Sequence, residues 1–228
     1  MDNNEMILNN SDRPNERPEK GNPSSLSPLQ RFKASMKIGF EEWHDGIGYN
    51  IAAIRLASKV ELDAIEKILI NHSPRDWRDI EALAEINTKC ARETIKEAIK
   101  DSNPVVRIAV IRFAPDLITD NERTQSIIHA LQNVEIFNGF SNVLDEVERH
   151  HPKEVKEALI NGLLNRTGDV AVHFAGMLFY LFGKAKEPFD WKQRPFFLRF
   201  NTENRKERVE VFRELCKKLK INSEKYLR

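Results

Sequence analysis

The chain has 228 residues, with 36 basic against 35 acidic side chains, nine glycines and two cysteines. Nine glycines are too few for an all-β sandwich or a nucleotide-binding α/β fold, both of which use glycine at turns and phosphate loops. At 40% hydrophobic and 31% charged residues, the composition suits a globular protein with a large solvated surface and one continuous helical array.

The net charge of +1 hides an uneven spread. Residues 1–30 are net −2 (three basic, five acidic), residues 31–183 net −4 (19 and 23) and residues 184–228 net +7 (14 and 7). Duplex binding relies on a continuous basic track that displaces counterions, so the acidic body argues against nucleic acid. It fits a basic protein partner better.

Residues 1–28 hold Pro14, Pro18, Pro23 and Pro28 among Asn and Ser, with few large apolar side chains. Such a segment buries too little surface to offset its ordering entropy and is predicted to be a disordered arm. From Leu29 the pattern becomes helical, with Leu29, Phe32, Met36 and Phe40 three or four positions apart. Trp43-His-Asp-Gly-Ile-Gly-Tyr49 interrupts it. Gly46-Ile-Gly48 reads as a turn, since it lacks the third glycine and the Lys-Ser/Thr of a phosphate loop. A short helix is expected from about Asn50 to Ala57.

Ser58-Lys-Val-Glu61 is a capping box, and Val60, Ala64, Ile65, Ile68 and Leu69 form the apolar stripe behind it. Asp76 to Ile86 is the next amphipathic segment. Asn87 or Thr88 caps a further one running to about Lys100. Pro104 then opens a helix carrying Val106, Ala109, Val110 and Phe113, its preset φ and missing amide suiting a first helical position. Asp120 or Asn121 caps a helix with Ile127, Ile128 and Leu131. Two more helices carry Phe140, Val143, Leu144 and Val147, then Val155, Leu159 and Leu163 after Pro152.

Gly168 to Ala175 repeats the sense of the Pro104 turn and sets His173 over Arg107, 66 positions away or two units of 33, the size of a helix-pair repeat. Val170 to Phe182 is the longest apolar run, 13 residues broken by His173 and Gly176. A bilayer span needs roughly 20, so this is a buried helix. The repeats are expected over 29–183. Residues 184–228 are expected to cap the array and continue from it. Two prolines forbid one long helix over Pro188 to Phe200, and a last helix capped at Thr202 carries Val209, Phe212, Cys216 and Leu219.

No sequence pattern supplies catalytic machinery. His150-His151 beside Glu148 diverge on a helix, and no His-x-x-x-His, Cys-x-x-Cys or His-Glu-x-x-His spacing occurs, so no metal or cofactor is expected. His173 reads as a hydrogen-bonded core histidine. Cys90 and Cys216 fall on apolar faces and read as reduced core thiols, with no neighbouring histidine to activate either. The carboxylate pairs Asp76/Asp79, Glu81/Glu85 and Asp145/Glu148 read as solvated faces. The opening Met-Asp-Asn-Asn-Glu has no basic and apolar leader, so the cytoplasm is the expected location.

Two clusters combine a large aromatic with acids near a turn: Trp43-His44-Asp45 with Tyr49, and Asp76-Trp77 with Asp79. One reading makes the tryptophans staples between helix pairs. The other makes an acidic, aromatic ridge for a protein partner, formed by Trp43, His44, Asp45, Tyr49, Asp76, Trp77 and Asp79.

The turn Asp101-Ser-Asn-Pro-Val-Val-Arg107 resembles the inner turn of a HEAT repeat. Together with Trp-His-Asp-Gly-x-Gly-Tyr at 43–49, Asp-Trp-Arg-Asp-x-Glu at 76–81 and the aromatic motif at 189–201, residues 31–228 are similar to bacterial HEAT-like proteins. That resemblance implies an all-α solenoid of stacked helix pairs closed by an aromatic-rich C-terminal region. Small proteins of this type recur as immunity proteins of toxin systems. The expected function is therefore a non-enzymatic binder that occludes a cognate toxin. The alternatives are a HEAT-like glycosylase acting on alkylated DNA, whose site resembles Asp76-Trp77-Arg78-Asp79, and a general scaffold.

Overall fold

The computed structural model describes residues 26–37, 39, 42 and 45–227. All but the last three residues of the 1–28 arm lie outside them. The described residues form twelve α-helices and no strand. These are α1 (Pro28–Ser35), α2 (Ile51–Leu56), α3 (Lys59–Ile70), α4 (Trp77–Ile86), α5 (Lys89–Ala98) and α6 (Pro104–Phe113). They continue with α7 (Asp120–Asn133), α8 (Phe140–Arg149), α9 (Lys153–Asn165), α10 (Gly168–Leu181), α11 (Arg194–Phe197) and α12 (Arg205–Leu219). Single 3-10 turns lie at Pro115–Leu117, Leu198–Phe200 and Ser223–Lys225.

Local chemistry fixes most helix starts. Ser27 with Gln30, Ser58 with Glu61, Asp76 with Asp79 and Thr119 with Glu122 each make a reciprocal capping box, satisfying amides that have no partner inside the helix. Thr119, not Asp120 or Asn121, caps α7, because only Thr119 has Glu122 three residues on. Asn204, not Thr202, caps α12, accepting from the Lys206 amide at 3.0 Å. At the α4–α5 junction the two candidates divide the work. Asn87 closes α4 in the left-handed region at φ 52°, and the Thr88 side chain opens α5.

The helices pack in two rows. Along one, α2, α4, α6, α8 and α10 touch in that order; on the other, α3 meets α5, and α7 meets α9, which meets α12. Each of α3, α5 and α7 also packs on the helix that follows it, as does α9 on α10. Arg107 lies on α6 and His173 on α10, with α8 touching both helices. One continuous apolar core runs between the rows, from Phe32 through Ile80, Val106, Ile127 and Phe174 to Phe212. Cys216 lies in it, whereas Cys90 is exposed, and both thiols are free. The sequence places Cys90 inside; α5 is turned so that Ala91, Thr94, Ile95 and Ala98 are its buried face instead.

Arginines tie the helix ends together. Arg107 donates to the Lys100 and Asp101 carbonyls at the end of α5. Arg166 donates to the Leu131, Gln132 and Val134 carbonyls at the end of α7. Buried Arg208 donates to the Leu164 carbonyl of α9 at 3.3 Å. A guanidinium suits the negative end of a helix, where several carbonyls are left unpaired. His173 does not repeat the part of Arg107. Its ring lies 5.5 Å from Phe140 and 5.0 Å from Phe189, and it makes no hydrogen bond to the described residues. Burial lowers its pKa. It is an aromatic packing residue.

At the C-terminal end, Phe197 and Phe200 are fully buried, Phe197 meeting Phe179 of α10 edge-on at 5.1 Å. Trp191 is left 66% exposed, with the Arg194 guanidinium 4.7 Å over its ring. No helix among the described residues is long and apolar enough to cross a membrane.

Candidate functional site

The first row of helices carries a groove of about 630 Å³. One wall comes from the turn at Gly46–Tyr49 and from Trp77 and Glu81 of α4. The floor is Val105, Ile108 and Ala109 of α6, with Arg112 and Phe113 at its end. The far wall is the turn at Phe137–Gly139 together with Asn142 of α8.

Trp77 and Phe113 stack at 6.5 Å with their planes 15° apart, so α4 and α6 present a flat aromatic strip. Phe137 stands on the rim, 81% exposed, and Ile47 lies between the two glycines at 48% exposure. Phe137 lines the groove and Ile47 lies next to its lining glycines, and isolated exposed apolar residues of this kind are ordinary on a protein surface. Gly139 shapes the far wall. Its φ of 74° suits a residue without Cβ, and a Cβ there would stand 3.1 Å from Val105.

The polar side chains include Glu81, Arg112, Asn138 and Asn142. Arg112 donates to the Asn142 Oδ1. Glu81 makes no hydrogen bond or ion pair to the described residues. Burial pushes its carboxyl above the ordinary range, against the pull of the Arg112 charge, with Glu85 adding to the rise. An ideal Cβ on Gly48 would lie 2.8 Å from Glu81 Oε2 and 3.8 Å from Trp77 Cη2. The carboxylate therefore occupies space that any other residue at 48 would fill.

The seven residues of the sequence-derived ridge divide. Trp43 and His44 lie outside the described residues. Asp45 is exposed beside Gly46. Tyr49 and Trp77 line the groove. Asp76 and Asp79 are bonded within the chain, so the solvated-face reading of that pair is corrected. Asp79 has no exposure at all. It accepts from the Asp76 amide at 2.7 Å and the Tyr49 hydroxyl at 3.1 Å, with His72 Nδ1 at 2.8 Å. Asp76 holds Arg78 by two contacts, Nε at 2.9 Å and Nη2 at 3.2 Å, and that guanidinium lies 4.8 Å over the Tyr49 ring. The Tyr49 phenol is raised, first by burial and then by the Asp79 charge. These acids hold α4 to the turn before α2, and Asp79 has no surface to offer a partner.

The residues missed by the sequence reading are Glu81, Arg112, Phe137 and Asn142. The sequence pattern puts Glu81 with Glu85 on a solvated face. Glu85 does sit on that surface, bonded to Arg55 at 2.7 Å, but Glu81 is drawn into the groove. The available signal was the four-residue spacing from Trp77 to Glu81, which puts both on one face of α4.

No group of three or more His, Cys, Asp or Glu is arranged to hold a metal ion among the described residues. His150 Nε2 contacts Thr124 Oγ1 at 2.8 Å, whereas His151 Nδ1 faces the Val147 carbonyl at 3.1 Å, so the two rings diverge. Comparison with protein-family models, curated proteins and solved structures finds no match.

Proposed function

We propose that this chain is a HEAT-like α-solenoid whose groove between α4, α6 and α8 binds a protein partner and occludes it without chemistry. The two-row packing of helices supports the solenoid, since such scaffolds present long surfaces lined by one row. The single observation that carries the binding reading is the rim. Phe137, Ile47 and the Trp77–Phe113 strip leave apolar and aromatic surface uncovered around a few fixed polar groups. The resemblance to immunity proteins supports a toxin as the partner, and the acidic 31–183 body supports a basic one. Two free thiols suit a reducing compartment such as the cytoplasm.

The test is capture of a stoichiometric partner by the tagged chain from cells that co-express its neighbouring genes, with Phe137→Ser and Trp77→Ala in parallel. Capture by the wild type and loss in both variants is the expected result. Equal capture by all three would move the interface off the groove.

One observation favours the glycosylase reading as second. Trp77, a half-buried carboxylate and an arginine share the groove, and an alkylated base is itself a flat cation. Glu81 would then take the carboxylate role first assigned within Asp76–Asp79. Release of base from alkylated DNA, abolished by Glu81→Gln, would establish it.

A further inference from the structure

We infer that the groove holds the guanidinium of a partner arginine, lying flat on Trp77 and hydrogen-bonded to Glu81. This rests on the reading of the chain as a protein binder and names the group that the binder recognises.

Three features converge. Glu81 is the carboxylate of the groove, half-buried and without a hydrogen bond or ion pair among the described residues, and the Arg112 charge favours its ionised form without pairing with it. Arg112, the only cation lining the groove among the described residues, is turned to Asn142 and forms no ion pair with Glu81. Burial already raises the Glu81 pKa, a cost that an incoming cation would relieve. Beside the carboxylate lies the Trp77 edge, and Trp77 continues into the stack with Phe113. An indole beside a carboxylate that has no ion-pair partner among the described residues suits a planar, delocalised cation that can stack and present its N–H fork at once. A lysine ammonium would meet the carboxylate without filling the flat strip.

Gly48 completes the site. Its bare backbone leaves room at Glu81 Oε2. It does not need a left-handed backbone, since its φ is not among the positive values found for Gly46, Gly139, Gly168 and Gly183. Alanine there would displace only the far end of a flexible side chain. Gly48→Ala thus perturbs the carboxylate at little cost to folding, and Glu81→Gln removes its charge while adding no atoms. Arg112 lines the same groove and its charge is felt at Glu81, so it opposes a bound cation; its loss strengthens arginine binding and weakens any phosphate-bearing ligand.

The probe is acetyl-Gly-Arg-Gly-amide, titrated against the full chain with the Trp77 indole N–H followed by two-dimensional NMR and assigned through Trp77→Phe. Saturable movement of that resonance is expected, with the citrulline peptide silent and the lysine peptide weaker. Glu81→Gln and Gly48→Ala should each weaken binding by about tenfold or more, and Arg112→Gln should tighten it. A Trp77 signal that does not move, or moves equally in Glu81→Gln, overturns the inference. Tighter binding of alkylated oligonucleotide that is lost in Arg112→Gln also overturns it, in favour of a nucleic-acid ligand. If a captured protein partner stays bound to Glu81→Gln and Gly48→Ala alike, the arginine site falls while the binder reading stands.

Discussion

The Tyr49 hydroxyl donates to Asp79 Oδ1 across 3.1 Å, inside the chain, and joins the turn before α2 to the first turn of α4. The same carboxylate serves the Asp76 amide and His72, so it is worth more than any one of its contacts. Tyr49→Phe removes one hydrogen bond to a charged group and is expected to cost about 1.5–3 kcal/mol. Asp79→Ala strips all three partners and is expected to cost about 3–5 kcal/mol. Urea unfolding of both variants and the double mutant gives the coupling, and additive effects would show that the network does not act as a unit.

Acid stability should depend on Glu61. Its carboxyl is held down to about 2 by the Ser58 amide and hydroxyl, and then by the Leu29 amide of α1 at 3.3 Å. A depressed carboxylate adds stability that is complete above its unfolded value, near 4.5, and is lost as the pH falls toward 2. Glu61→Gln should therefore flatten the stability profile between those limits, measured by urea midpoints from pH 2 to 6. A profile as steep as the wild type's would remove Glu61 as the cause.

Much of this architecture was legible in the sequence, because it is written in local chemistry. Ser58 and Glu61, Pro104 after Asn103, and the 3–4 spacing of Ile65 and Leu69 each act within a few residues. The groove was not, because it is assembled across the row. Arg112 and Asn142 are 30 positions apart in the chain, and only the packing of α6 on α8 joins them. Asp79 shows the same limit from the other side. Its capping role was locally readable, but its burial depends on Tyr49 and His72, which arrive from other elements. The aromatic and acidic residues near these turns look alike in sequence, and tertiary packing divides them into a lining residue, Trp77, and a buried strut, Asp79.

Arg107 is expected to matter for the junction it spans. Arg107→Ala leaves the Lys100 and Asp101 carbonyls at the α5 terminus without their donor. A hydrogen-bonded charge of this kind is worth about 1.5–3 kcal/mol. Thermal unfolding should show a clear fall in Tm, with Arg107→Lys recovering only part of it, since an ammonium lacks the planar fork. An unchanged Tm would make the contact ornamental.

The two thiols should react in separate phases. Cys90 is exposed and should be titrated at once by a chromogenic disulfide reagent, whereas Cys216 is buried with its pKa pushed up to about 12 by burial. One equivalent is expected under native conditions and the second only on unfolding. Rapid reaction of both would mean that the core around α12 opens in the folded state.

The most direct test of the binding account is hydrogen exchange on the captured complex. Protection gained on binding should map to residues 77–81, 108–113 and 135–142, which wall the groove. Protection confined to the other row, α3, α5, α7 and α9, with those three segments unchanged, would contradict the account.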